Sequence, residues 1–201
     1  MGRKRSFDID VALDQAMEIF WRQGFDGASI SELTAAMGIN PPSLYAAFDS
    51  KEGLFLAVVD RYSDRRAAFV GYVVAGATAR DVAERSLFGM IELATDVHEP
   101  PGCLLVKGQL TCSSASPAVA QQIANTRLLA HEQLYERLCR AQRDGDLPAD
   151  SDPALLARFL STMSDGIGLQ AQSGASRIEL KEMAALALSS WPSSSSSSSG
   201  L

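Results

Sequence analysis

The stretch from Ser29 to Gly53, SISELTAAMGINPPSLYAAFDSKEG, admits few folds. Ser29 and Glu32 stand at capping-box spacing, where the serine side chain meets the backbone N–H three residues on and the glutamate reaches back. Ile30, Leu33 and Met37 recur at three and four, so they share one helix face. Gly38 follows where a left-handed C-terminal cap favours glycine. Asn40-Pro41-Pro42 then opens a second helix, since proline is tolerated in a first turn whose N–H groups lack partners. Either Asn40 or Pro41 serves as its cap, because Pro42 disfavours helical geometry at Pro41. Leu44 and Phe48 point inward together, and Pro42 and Ala46 point outward with Ser43 and Tyr45 on the flanks. Ser50-Lys51-Glu52 restarts a helix with Ser50 as cap. Two short helices joined by a glycine turn, the second with a small, polar outer face, read as a helix-turn-helix. Spacing alone equally fits an αα-corner in a helical core.

The residue identities say more. The first amphipathic helix ends Phe20-Trp21-Arg22-Gln23-Gly24-Phe25. Ala36-Met37-Gly38-Ile39, Ser43-Leu44-Tyr45, Phe48 and Ser50-Lys51-Glu52 follow in order before Leu54-Phe55. This ungapped series strongly resembles the DNA-binding segment of the tetracycline-repressor (TetR) family of bacterial regulators. It covers about the first quarter of the chain; the remainder matches only in helical character and length. The resemblance implies an all-α fold, with an N-terminal three-helix DNA-binding domain followed by a helical ligand-binding and dimerisation domain. It also assigns phosphate contacts to Ser43, Tyr45 and Lys51. One departure stands out: many members carry His or other polar residues where this chain has Ala46 and Ala47. Base readout therefore falls to methyl contacts and groove shape.

Charge would not have suggested nucleic acid. The net charge is −6, and residues 1–50 carry only Arg3, Lys4, Arg5 and Arg22 against Asp8, Asp10, Asp14, Glu18, Asp26, Glu32 and Asp49. The basic tail Arg3-Lys4-Arg5 and Lys51 must then supply most cationic contacts. The expected DNA-binding set is Arg3, Lys4, Arg5, Ser29, Asn40, Pro41, Pro42, Ser43, Tyr45, Ala46 and Lys51.

Asp8 can cap the first helix, Ile9, Leu13, Ala16 and Phe20 form its inner stripe, and Gly24 ends it. From Lys51 a fourth helix continues through Leu54, Phe55, Val58 and Tyr62 to about Ala68, with no break at the domain boundary. Further helices are read over about Ala79–Val97, from Cys103 to before Ser113, from Ala120 to Ala141, from Pro153 past Ile167, and from Ser176 to near Trp191, about nine in all. The division expected is 5–50 for the helix-turn-helix domain, 51–191 for ligand binding and dimerisation, and 192–201 for a disordered serine tail.

Apolar content of 46% is ample for a core. No run is long enough to span a bilayer, and no secretory apolar segment follows Met1-Gly2-Arg3-Lys4-Arg5, so a soluble, cytoplasmic protein is expected. Three cysteines argue against a disulfide scaffold. His98 and His131 have no carboxylate or cysteine at ligand or triad spacing, and no phosphate-cradling glycine loop appears, so neither catalysis, metal nor cofactor is expected.

The last two helices are the expected dimer surface. Gly166 and Gly168 permit close approach beside Leu160, Met163 and Ile167, and the final helix offers Ile178, Met183, Leu186 and Leu188. The pocket is expected to prefer an apolar or aromatic effector lined by Phe88, Met90, Ile91, Leu110, Leu128 and Met163, with Cys103 beside it. Cys103, in the first turn of its helix, is similar to a reactive cysteine of electrophile-sensing family members. The whole points to a DNA-binding transcriptional regulator, a ligand-responsive repressor gripping a palindromic operator as a homodimer. The alternatives are a thiol-based sensor through Cys103, or a helical protein-interaction module without DNA binding.

Overall fold

The computed structural model describes residues 7–111 and 116–192. Among them are nine helices and no strand. The basic tail Arg3-Lys4-Arg5, Cys112 and the serine tract from Ser193 lie outside the described residues.

α1 (Ile9–Gly27) starts at Asp8, whose carboxylate accepts from the backbone of Asp10 and Val11. Gly24 breaks it with φ of 77°, and one further turn carries it to Gly27. α2 (Ile30–Met37) is held by the capping box of Ser29 and Glu32 and closed by Gly38 in the left-handed region. Asn40, not Pro41, caps α3 (Pro41–Phe48): its side-chain oxygen accepts from the N–H of Ser43 at 2.9 Å. α4 (Lys51–Val74) runs two turns beyond the expected end near Ala68. The residues after Ala68 are Phe69-Val70-Gly71-Tyr72-Val73-Val74, an apolar run with no proline to stop a helix.

The chain continues as α5 (Ala79–Ala94), α6 (Leu104–Thr111), α7 (Pro117–Arg143), α8 (Pro153–Gln172) and α9 (Arg177–Ser189). Apolar side chains gather in two cores. The first joins α1, α2, α3 and the N-terminal half of α4 to Leu104, Val119 and Ile123 of the following helices. It therefore crosses the boundary drawn at residue 50. Its centre is aromatic: Phe20 and Phe25 meet the Phe55 ring edge-on at 4.8 and 5.2 Å, and Trp21 meets Tyr62 edge-on at 5.1 Å. Such pairs contribute about 0.5–1.5 kcal/mol each beyond the area they bury. The second core is built from α5, the C-terminal part of α7, α8 and α9. α4 spans both, so whatever moves its C-terminal half moves the first core with it.

Several residues expected at a dimer face are instead spent inside the chain. Leu160, Ile167 and Leu188 are fully enclosed in the second core. Gly168 makes a close approach, but to Cys103 and Met90 of the same chain. Ile178 and Leu186 remain outside at 72% and 74% exposure, joined by Leu155 and Leu169, and Gly166 has open space beside it.

Candidate nucleic-acid interface

The helix-turn-helix stands on α1 and α4. Leu33 and Leu44 are wholly buried and fix α2 and α3 to that base. Pro41, Pro42, Tyr45 and Ala46 are exposed, and Ser43 is half-buried. Tyr45, 46% exposed, makes no ring contact or hydrogen bond with any described residue, so its hydroxyl is available to an outside acceptor. Asn40 spends its oxygen on the cap and keeps its amide N–H groups. Ser29 is committed to Glu32, donating to its carboxylate at 2.7 Å while accepting from its backbone N–H. That hydrogen bond holds the Glu32 carboxyl below the usual range.

Lys51 stands in the first turn of α4, where the positive helix N-terminus disfavours a cation without compensating negative charge. The chain supplies its own compensation. The Lys51 ammonium lies 4.7 Å over the Phe25 ring and reaches the backbone carbonyl of Asp26, at the negative end of α1, at 3.5 Å. Burial pushes its pKa down and Asp26 opposes the shift. Lys51 is thus a tether between α1 and α4, half-buried at the start of α4.

Two features of the α3–α4 junction escaped the sequence reading. Asp49 is left-handed, with φ of 64° and ψ of −37°, a conformation that L side chains adopt at a cost. A Cβ at Gly53 would stand 2.1 Å from the Phe48 carbonyl oxygen, so only glycine lets α4 start this close to the end of α3. The second has a sequence signal: a glycine inside a helical first turn opposes propensity and asks for a packing reason.

Two acids of the N-terminal region are paired with cations beyond it. Arg61 of α4 holds Asp10 at 2.8 Å and also grips Asp14, which Arg65 shares. Arg61 beside Asp14 keeps that carboxyl below its ordinary range and raises the guanidinium in turn. Glu18 pairs with Arg22 at 2.9 Å. A charge count that stops at residue 50 misses Arg61 and Arg65.

Behind the interface a cavity of about 850 Å³ opens between α4, α5, α6, α7 and α8. Of the expected lining, Met90, Cys103 and Leu128 are on its wall. Ile91 is buried in the second core, Phe88 and Met163 pack against that core, and Leu110 faces outward at 64% exposure. Helical periodicity separates an inner from an outer face but not core from cavity, which depends on where neighbouring helices diverge. The wall is also more polar than expected: it carries Arg66, Arg127, His131, Arg158 and Asp165. Cys103 precedes α6 and its carbonyl receives the first helical hydrogen bond, from Lys107. Its sulfur accepts from the Tyr62 hydroxyl at 3.5 Å. Burial raises the Tyr62 pKa well above its ordinary value.

Arg66 connects cavity and DNA-side core. It lines the cavity, pairs with Glu99 at 2.8 Å, and stacks its guanidinium over the rings of Tyr62 and Trp21 at 5.0 and 5.5 Å. α6 makes a second connection. A Cβ at Gly24 would lie 2.1 Å from the Thr111 hydroxyl oxygen, so the end of α6 sits directly on the break in α1.

Known proteins share this arrangement. Residues 12–58 match the family model of bacterial regulatory proteins, tetR family. The HTH-type transcriptional repressor ComR of Escherichia coli (strain K12) is 35% identical over 193 residues, 95% of this chain and 92% of its own. The repressor BdcR of the same organism is 30% identical over 189 residues, 92% of this chain and 90% of its own. Among solved structures, a cysteine mutant of the TetR-family regulator CifR, complexed with 26-base-pair operator DNA, superposes with a TM-score of 0.89 at 40% identity. That match covers 94% of this chain and all of the other.

Proposed function

Since the chain belongs to the tetracycline-repressor family of DNA-binding transcriptional regulators, and is not an enzyme, we propose that it is a ligand-responsive repressor that grips a palindromic operator as a homodimer. Residues 5–50 dock on the duplex, with Ser43, Tyr45 and Lys51 on phosphates and Pro42 and Ala46 toward the base edges. The observation that carries this reading is the outer face of α3: Tyr45 unpartnered and exposed, flanked by exposed Pro42 and Ala46, on a helix fixed from behind by the buried Leu44. Affinity then comes mainly from the backbone and specificity from methyl contacts and groove shape.

The helices after residue 50 hold the effector and pair the protomers. Exposed Leu155, Leu169, Ile178 and Leu186 on α8 and α9 support pairing through those helices. A two-fold dimer would set two α3 helices on successive turns of the major groove. The cavity supports an effector site, and Arg66 and α6 are the contacts through which its occupancy would bias the DNA-binding units. No helix among the described residues is long and apolar enough to cross a membrane, which is consistent with action on cytoplasmic DNA.

The test is salt-dependent binding of Lys51→Ala and Tyr45→Phe to duplex from upstream of the gene and to random duplex. Each lost phosphate contact should weaken binding to both duplexes about equally and reduce the salt slope by about one. Wild-type affinity and slope in both variants, with the fold intact, would exclude this face as the docking surface.

A further inference from the structure

The cavity has two unlike walls. Phe69, Val70 and Val73 of α4 and Met90 of α5 make one side apolar. The lining also carries Arg127 and His131 of α7 and Arg158, Ser161 and Asp165 of α8. Arg127 and His131 are four apart, and Arg158, Ser161 and Asp165 are spaced by three and four, so each set shares a helix face. The two sets interlock: His131 Nδ1 and Ser161 Oγ are 3.0 Å apart, and Arg127 pairs with Asp165.

Charge does not close on the polar wall. Arg127 has Asp165 and Arg66 has Glu99. Arg158 makes no hydrogen bond or ion pair with any described residue. It is near enough to oppose the burial that raises the Asp165 carboxyl, and it joins burial in pushing the His131 imidazole down. Arg158 is exposed, and Asp64, exposed on α4, also lines the cavity. Arg158 is therefore the cation on the polar wall, and Asp64 the acid in the lining, without an ion pair to a described residue.

Ligand classes can be weighed against that wall. A cation would meet Arg127 and Arg158. A wholly apolar molecule would strip water from Arg158 and the Arg127–Asp165 pair and give nothing back, which is costly. A dianion would press its second charge against Phe69 and Val73. A single carboxylate satisfies the free guanidinium fork bidentately, and a volume of about 850 Å³ leaves room for a hydrocarbon body.

We propose that the cavity takes a monoanionic amphipathic ligand, an aliphatic or aryl carboxylate, with its carboxylate on Arg158 beside Ser161 and its body against Phe69, Val70 and Val73. The inference rests on the reading of this cavity as the effector site. Octanoate and phenylacetate, with octanamide and phenylacetamide as uncharged counterparts, are titrated into the full chain by calorimetry and thermal shift. The carboxylates should bind saturably and at least about tenfold more tightly than the amides, as a charged hydrogen-bonded pair outweighs a neutral one. Arg158→Ala should remove that preference and leave amide binding unchanged, Arg140→Ala on the exposed side of α7 should change neither, and Val70→Trp should block both classes. Equal binding of acids and amides, insensitive to Arg158→Ala but blocked by Val70→Trp, would overturn the carboxylate inference and leave the effector cavity standing. Absence of binding by all four probes, or binding that Val70→Trp does not disturb, would overturn both.

Discussion

Gly53→Ala sets two opposing effects against each other. Alanine is favoured over glycine within a helix by up to about 1 kcal/mol, so propensity alone predicts stabilisation. Geometry predicts the reverse. The new Cβ would lie 2.1 Å from the Phe48 carbonyl oxygen and 3.3 Å from its carbon, where ordinary contact begins near 3.4 Å. The obstacle is backbone, which cannot rotate aside, so α3 and α4 must separate by roughly 1 Å to restore contact distance. Overpacking of this kind costs about 1–3 kcal/mol. The clash should outweigh propensity, giving a net loss of about 1–2 kcal/mol and a fall in Tm of about 2–8 °C for a chain of this size. Gly71→Ala is the control: the same helix, nothing within 4 Å of the added Cβ, and therefore a small rise in Tm. Calorimetry of both variants reads the stability difference. Operator binding by anisotropy should also weaken at least about tenfold in Gly53→Ala if α3 docks on the duplex as proposed, because the close approach at Gly53 sets where α3 stands on α4. If Gly53→Ala is stabilised as Gly71→Ala is, the close approach does not govern the junction and the reasoning fails.

Asp14 gives a pH signature. Its folded pKa is depressed by Arg61, so its contribution is present above the ordinary carboxyl value of 3.8 and is lost as pH falls through the folded value. Asp14→Asn should therefore be less stable than wild type at neutral pH, with the gap closing below about pH 4 and shrinking in high salt; a gap that persists in acid would exclude the Arg61 pair as its origin. Arg66→Met keeps apolar bulk but removes two ring contacts and the Glu99 pair. It should cost about 1–3 kcal/mol, and a double-mutant cycle with Glu99→Gln should show coupling of about 0.5 kcal/mol or more; additive losses would mean the Arg66–Glu99 contact carries no energy.

Local features were legible because their signals are local. Ser29 with Glu32, Gly38 after Met37, and Ser50 before Lys51 each specify a hydrogen bond within four residues, and each is present in the structure. The inner faces of the first helices followed from spacing alone. What was not legible depends on residues distant in sequence. Asp14 looks like an unhelpful acid beside DNA until Arg61 and Arg65, about fifty positions on, are brought against it. Ile91 and Met90 are neighbours in the chain, yet one is core and the other cavity wall, because α5 turns its faces toward different helices. Arg66 has no sequence signal at all; its role exists only where Trp21, Tyr62 and Glu99 converge.

The length of α4 determines how small a change at the cavity can matter at the DNA. From Leu54 to Val70 the helix contains neither glycine nor proline, so it has no hinge and moves as a rod. Lys51 lies fifteen residues before Arg66, a span of roughly 22 Å at 1.5 Å per residue. A tilt of about 3° near Arg66 thus displaces the start of α4, and α3 with it, by roughly 1 Å. In a dimer the displacement has opposite sense in the two protomers, so the spacing of the two α3 helices would change by about twice that. Backbone contacts tolerate such an error poorly because several must form together on a duplex of fixed pitch. If exposed Pro42 and Ala46 face the base edges as proposed, few base edges would be read and binding would depend the more on that spacing. If an effector binds in the cavity as proposed, repacking around Phe69, Val70 and Val73 would need no large rearrangement to release DNA. It would need only a differential fit of that effector to two nearby tilts of one unbroken helix.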